Sequence, residues 1–444
     1  MLVEYRITGR GTADIAASVE AGVASGALPP GSPLPPMREL AGELGVNPNT
    51  VAAAYRTLRE RGVIETDGRR GSRVRPRPST TPRDALRMVV PAGVRDIAEG
   101  NPDVSLLPSL DGALAAAARR YAQAPSLYGA DPVSPDLARL ARADFDADAV
   151  PPGPVAVTSG ALDAMERVLV AHLRPGDAVA VEDPGWGGSL DLVPALGLRV
   201  LPVAVDDDGP RTDAVARALA AGARALVVTS RAQNPTGAAV SAERAAELRE
   251  VLARHPGVLL IEDDHGHGIV DLPLHPLSGV TGHWALIRST AKAYGPDLRL
   301  AVLTGDAVTL DRVRGRQRLG PGWVSRLLQH AVVELWTSNA VDRAAVARAY
   351  GERRNALVEA LRERGVRAHG RSGLNVWVPV ADETVVVTRL LAAGWAVAAG
   401  AIFRVEAGPG VRLTVSQLRV SEVAGLADAV AAAVRTGVAG GRND

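Results

Sequence analysis

The chain contains no cysteine, which excludes disulfides, thiolate zinc sites and thiol catalysis. It contains no apolar run of about 18 residues, so no membrane span is expected. The start, MLVEYRITGRGTADIAASVE, lacks a charged opening followed by an apolar stretch and does not read as a secretory signal. The cytoplasm is therefore the expected location. Net charge is also scarce, at +1 over 444 residues, so the molecule is no general polycation. Locally the balance is different. Residues 56–77 carry eight arginines against Glu60, Glu65 and Asp67, a cationic stretch able to attract phosphates, or else simply a solvated basic face.

The most informative scarcity is lysine. Of 50 Lys plus Arg residues, only Lys292 is a lysine. A chain that uses arginine for generic positive charge and keeps one amine points to chemistry that a guanidinium cannot do. The obvious candidate is condensation with an aldehyde; one surface lysine left by chance is the plain alternative. What remains is ordinary for a globular protein, with 47% hydrophobic and 22% charged residues. At 444 residues two or three domains are expected.

Apolar positions Ile15, Val19, Val23 and Ala27 predict a helix over 12–27, broken by Pro29, Pro30, Gly31 and Pro33. A second helix is expected over Met37–Leu44. Gly45-Val46 makes a turn, and Asn47 is a good N-cap with Pro48 at the first helical position. A third helix should run from Pro48 to Arg61 and end at Gly62, followed by short strands 63–66 and 72–74 around Asp67-Gly68-Arg69-Arg70-Gly71. Helix, turn, helix and glycine-tipped hairpin make a winged helix-turn-helix. Asn49, Thr50 and Arg56 would face the major groove of a double-stranded DNA operator, with Arg38 also in reach. Arg69, Arg70 and Gly71 form the wing, placed for phosphates or the minor groove. A helical hairpin used only for packing is the bland alternative.

Four prolines between 75 and 92 mark a linker. The expected division is thus a DNA-binding domain over 1–75, a linker over 76–92 and an effector domain over 93–444. In the last part helices alternate with apolar strands near 155–158, 178–182, 225–229, 258–263 and 284–289. The fold class is therefore α/β with a mainly parallel central sheet, whose ligands sit beyond the strand carboxyl ends. The residues at those ends form a series. Gly160-Ala161 opens a helix and could bind an anion. Trp186 could stack on a planar ring. Asn234, in an Asn-Pro-Thr-Gly turn, could bond a phenolate-type oxygen. Glu262-Asp263-Asp264-His265 could keep a pyridine nitrogen protonated. Ser289 and Arg299 could hold phosphate on either side of Lys292. Each is weak alone; in this order they point to pyridoxal 5'-phosphate. A metal site on Asp263, Asp264, His265 and His267 is the rival, though nothing nearby in the sequence completes a shell.

Residues 34–74 resemble a GntR-type winged helix, and 93–444 look like a fold-type I aminotransferase domain. Their fusion is similar to the MocR family of regulators. The strings YGADPVSPDL, TSGALDAMER, RAQNPTG, EDDH, HWALIRSTAKAYGPDLRLA and WVSRLLQ resemble its PtsJ-type branch, associated with vitamin B6 salvage. The resemblance implies that Lys292 captures the cofactor aldehyde, Asp263 pairs with the pyridine nitrogen and Asn234 with the ring hydroxyl. It gives Gly160, Ala161, Ser289 and Arg299 the phosphate, and Trp186 the ring face. It further implies that Tyr128 reaches the partner subunit's phosphate, that Arg412 takes the carboxylate of an amine or amino acid effector, and that the protein is a head-to-tail homodimer. His265 stands where the family has a tyrosine beside the ring hydroxyl, Pro48 where the recognition helix usually has an arginine, and Ser134 where a glycine is usual. The function so implied is a cofactor-sensing regulator of vitamin B6 metabolism; the alternative is an aminotransferase with an accessory domain.

Overall fold

The structure is a computed structural model that describes residues 5–24, 27–29, 31–60, 63–66, 71–74, 83 and 90–435. The chain divides into two compact units, one built mainly of Met1–Thr80 and the other of most of Thr81–Asp444. Among the described residues no helix is long and apolar enough to cross a membrane.

The first unit contains helices α1 (Thr12–Ala24), α2 (Met37–Leu44) and α3 (Pro48–Glu60), then strands β1 (Ile64–Thr66) and β2 (Ser72–Val74). Helix α1 is described to Ala24, and Ala27, the last residue of the expected span, lies outside it. Gly45 closes α2 in the left-handed region, at φ 64°, where a side chain would be strained. The Asn47 side chain accepts from the Asn49 amide at 2.8 Å, so the expected N-cap is present. Ile15, Val19, Leu40, Val51, Ala54, Tyr55, Leu58, Ile64 and Val74 are buried together. The Tyr55 hydroxyl donates to the Pro35 carbonyl at 2.8 Å and ties α3 to the segment before α2. Strands β1 and β2 pair antiparallel, Ile64 opposite Val74, and residues 32–34 add a further run of bonds along β2. This is the winged helix-turn-helix expected from the sequence.

The second unit is built on an eight-stranded sheet. Its strands follow the short β3 (Arg95–Asp96). They are β4 (Val155–Thr158), β5 (Ala178–Asp183), β6 (Arg199–Asp206), β7 (Gly209–Pro210), β8 (Ala223–Thr229), β9 (Leu259–Asp263), β10 (His283–Ser289) and β11 (Ala301–Gly305). The order across the sheet is β4-β11-β10-β9-β8-β5-β6-β7. Neighbours β5, β8, β9 and β10 run parallel, while β11 runs antiparallel between β10 and β4. Strand β4 therefore points the same way as β10. The carboxyl ends of β4, β5, β8, β9 and β10 meet along one edge of the sheet, where a parallel sheet binds its ligands. A three-stranded sheet of β12 (Asn375–Pro379), β15 (Gly410–Thr414) and β14 (Ala398–Ala399) completes the unit, with β13 (Trp395–Ala396) pairing β3. The sheet strands carry long runs of buried aliphatic residues, such as Leu259, Leu260 and Ile261, as strands covered on both faces must.

The starts of β8, β9 and β10 differ from the sequence expectation by one or two residues, and β5 ends one later. Strand β11 has no counterpart in the expected series. Its residues, AVLTG, are a run of only five beyond the Gly295-Pro296 turn.

Candidate functional site

The sheet edge gathers the expected residues. After β4, Gly160 adopts φ 104° and starts the helix Ala161–His172. A Cβ there would meet the Arg299 guanidinium at 3.0 Å, so a side chain would both strain this backbone and crowd Arg299. Arg299, itself in the left-handed region at φ 43°, donates to the Ser159 carbonyl at 3.0 Å. Ser289 ends β10, and its hydroxyl accepts from the Ala291 amide at 3.2 Å. A helix start, a hydroxyl and an exposed guanidinium are thus brought to one corner of the sheet edge, the kind of donor set an anion would need.

Lys292 lies in the short helix Ala291–Tyr294 and donates to the Gly100 carbonyl. Arg412, on β15, is buried and donates to Asn234 Oδ1 at 3.0 Å and to the Ala98 carbonyl. That bond leaves the Asn234 amide nitrogen as the donor it offers to a ligand. A Cβ on Gly100 would lie 3.3 Å from the Arg412 guanidinium, so the segment 98–100 passes tightly under both cations. Arg412 also sits 4.7 Å over the Phe403 ring. Trp186 is half-buried at the end of the turn that follows β5.

Glu262 and Asp263, which end β9, and Asp264 just beyond it have three different surroundings. Glu262 accepts from the Leu277 amide at 2.9 Å and from the Ser278 hydroxyl, and burial raises its pKa. Asp264 is fully buried between two guanidinium groups. Arg231 Nε and Nη2 reach it at 2.9 and 2.7 Å, and Arg288 Nε at 2.9 Å. These cations outweigh burial and hold its carboxyl well below the usual range. Arg288 also bonds Asp144 and Asp148, and His267 lies 2.9 Å from Asp144.

Asp263 is different. It is buried, and among the described residues its Oδ1 has no hydrogen-bond partner. Burial, then the charges of Asp264 and Glu182, push its pKa up to about 7. Such an orphaned acceptor is costly unless something donates to it. A protonated ring nitrogen is the donor this acid lacks, so the residues present fit the cofactor that the sequence implies. Glu182, also raised to about 7 by burial, bonds the Thr229 amide at 3.0 Å and Gln233 at 3.3 Å. His265 is half-buried, and burial with the Lys292 charge lowers it to about 3, so its imidazole is neutral.

The rival metal reading finds a group with ligand spacing among the described residues, Asp148, Asp264 and His267. Its acids, however, are already engaged by Arg288 and Arg231.

Tyr128 is 94% exposed and meets Trp323 edge-on at 5.6 Å between ring centres. Arg38, Asn49, Arg56 and Gly71 are exposed and Thr50 is half-buried, on the winged unit's surface. Arg69 and Arg70 lie outside the described residues.

Sequence reasoning did not find the carbonyls of Ala98 and Gly100, or Asp183. The Asp183 carboxylate is buried and accepts from the amides of Val405, Glu406 and Ala407 at 2.7–2.8 Å. Nor did it find the partners of Asp264. No local pattern marks Arg231, Arg288 or Asp144, which are brought together only by folding.

Comparison with known proteins agrees with this geometry. The gntR family of bacterial regulatory proteins matches residues 12–74, and the aminotransferase class I and II family matches residues 92–430. The chain is 41% identical to the vitamin B6 salvage pathway transcriptional repressor PtsJ of Salmonella typhimurium, over 95% of this chain and 98% of that one. It is 29% identical to the pyridoxine biosynthesis transcriptional regulator PdxR of Corynebacterium glutamicum, over 76% of each. The kynurenine aminotransferase of Pyrococcus horikoshii superposes on 81% of this chain and 98% of its own, with a TM-score of 0.71 at 18% identity, which shows the shared fold. The chain belongs to the MocR family of transcriptional regulators, a gntR-type winged helix joined to an aminotransferase class I and II domain.

Proposed function

We propose that the protein senses pyridoxal 5'-phosphate and, by changing its grip on an operator, controls genes of vitamin B6 metabolism. The observation that carries this reading is Asp263, a buried carboxyl with an oxygen unpaired among the described residues, on the sheet edge that also bears the sole lysine. The names of PtsJ and PdxR, both regulators of this vitamin's supply, support the physiological target.

In this reading Lys292 supplies the amine, Asp263 holds the ring nitrogen's proton and Asn234 donates to the ring oxygen. Trp186 covers the ring, while Gly160, Ala161, Ser289 and Arg299 take the phosphate. When bound, pyridoxal phosphate supplies an aldehyde that reacts with amines and a ring that draws electrons. His265, neutral at this position, can accept or donate one hydrogen bond without adding charge. Arg412 offers a guanidinium to the carboxylate of an amine or amino acid effector. Residues 1–75 form the DNA-binding domain, 76–92 the linker and 93–444 the effector domain of a cytoplasmic head-to-tail homodimer. Tyr128, exposed in its own protomer but for the edge of Trp323, reaches the partner's phosphate corner. The same Lys292 and Arg412 leave an aminotransferase half-reaction chemically open.

The test is a gel-shift titration of the DNA upstream of the protein's own gene, with and without pyridoxal phosphate at fixed salt. The ligand should change DNA affinity about 5–150-fold, the usual range for coupled sites. Equal affinities in a sample that has taken up the cofactor would defeat the sensing reading.

The wing carries its own expectation. Arg69→Ala with Arg70→Ala should weaken binding alike on all DNA sequences. It should also lower the slope of log affinity against log salt by about 0.9 for each phosphate no longer neutralised. A slope equal to that of the wild type would take the wing out of the interface.

A further inference from the structure

Arg83 is a linker residue that grips the effector unit. Its amide donates to Asp191 Oδ2 at 2.7 Å and its Nε to Oδ1 of the same carboxylate at 3.1 Å. Its Nη1 donates to the carbonyls of Ala401 and Arg404 at 3.2 and 3.0 Å. Asp191 belongs to the helix Gly187–Ala195, which follows Trp186 directly. Arg83 therefore spans two structures, the helix behind the ring-stacking residue and the loop 401–407.

That loop is also held by the site. The Gly185 amide donates to the Phe403 carbonyl at 2.7 Å. Asp183 clasps the amides of Val405, Glu406 and Ala407 at 2.7–2.8 Å. Arg412 lies 4.7 Å above the Phe403 ring. At the start of the helix, a Cβ on Gly187 would lie 3.0 Å from the Ile402 carbonyl and 3.9 Å from the Arg83 Cβ. Turn 183–187 and loop 401–407 thus touch each other, the ligand-reading residues Trp186 and Arg412, and Arg83.

We propose that Arg83 is a relay anchor: its hold on Asp191 and loop 401–407 tightens when the cofactor site is filled. This rests on the reading that pyridoxal phosphate occupies the Lys292 site. A ring against Trp186 fixes turn 183–187, and that turn positions the carbonyls of Ala401 and Arg404 for the guanidinium.

Trypsin reads this directly. Within residues 75–90, Pro76 and Pro78 block cleavage after Arg75 and Arg77, which leaves the bonds after Arg83 and Arg87. The full-length protein is digested with and without pyridoxal phosphate. Fragments ending at Arg83 are quantified by mass spectrometry, and hydrogen exchange follows the Arg83 amide. The absorption of bound cofactor is recorded on the same samples.

In the wild type, the ligand should slow cleavage after Arg83 about threefold and protect its amide. Asp191→Ala should form the same absorption band, yet be cleaved after Arg83 about fivefold faster, with no response to ligand. That fold-change is of the size expected when a charge-assisted pair drops out of a local opening equilibrium. Should Asp191→Ala lose the band, Arg83→Gln replaces it, read by exchange at the residue 83 amide, with the same loss of response expected. A wild type that forms the band but shows unchanged cleavage and exchange overturns the relay alone. So does a variant that still responds. A wild type that never forms the band removes the ligand reading and the relay together.

Discussion

Lys292→Ala should abolish the absorption band of bound pyridoxal phosphate and reduce affinity for the vitamer on the order of 10²–10³-fold, about 3–4 kcal/mol. No other lysine in the sequence can stand in. The fold should survive, because Lys292 is half-buried and its neighbours Ala293 and Tyr294 carry the local packing. Stability should change by no more than about 1 kcal/mol. Binding to DNA should persist, while its response to the vitamer disappears. Absorbance titration, thermal unfolding and a gel shift on one preparation check all three. A band of wild-type strength in the variant would mean that the amine lies elsewhere.

Asp263→Asn is the second large effect, and its signature is pH. In the cofactor-free protein the Asp263 pKa is raised to about 7 by burial and the charges of Asp264 and Glu182. A carboxyl raised on folding favours the fold at low pH, where both states are protonated. That contribution fades as pH climbs from the ordinary carboxylate range through about 7. The cofactor-free wild type should therefore lose stability between pH 6 and 8, and Asp263→Asn should lose less. Glu182, also near 7, leaves the variant a residual slope. With the cofactor bound, the ring nitrogen's proton gives the carboxylate a partner. The ligand should then raise the wild-type melting temperature more at pH 8 than at pH 6. Without the carboxylate, affinity should fall roughly 10–100-fold, the size of a hydrogen bond to a charged group. Melting curves at the two pH values decide it; parallel losses in wild type and variant would count against Asp263 as the titrating group.

The sequence made these residues visible for a physical reason. Strand-end residues in a parallel sheet are local in sequence, being an apolar run followed by a turn, and they converge in space by topology alone. Gly160, Asn234, Asp263, Ser289, Lys292 and Arg299 could all be found that way. The winged helix was legible for a similar reason, since Asn47, Pro48 and Gly45 are boundary signals carried by single residues. The division of labour among Glu262, Asp263 and Asp264 was not legible. It depends on which neighbour faces each carboxylate, and Arg231, Arg288 and Ser278 come from different loops and strands. The relay bonds escaped for the same cause: Arg83, Asp191 and Arg404 are separated by more than a hundred positions. Strand β11 was missed because antiparallel insertion leaves no mark on a short apolar run.

The buried trio of Arg231, Asp264 and Arg288 also bears on how such a protein can diverge. Losing Asp264 takes from both guanidinium groups the one fully buried acid they share, at about 3–5 kcal/mol, a large fraction of the stability of a typical domain. These three positions should therefore drift as a block across descendants, retained together or exchanged together for neutral side chains, with few lineages caught between.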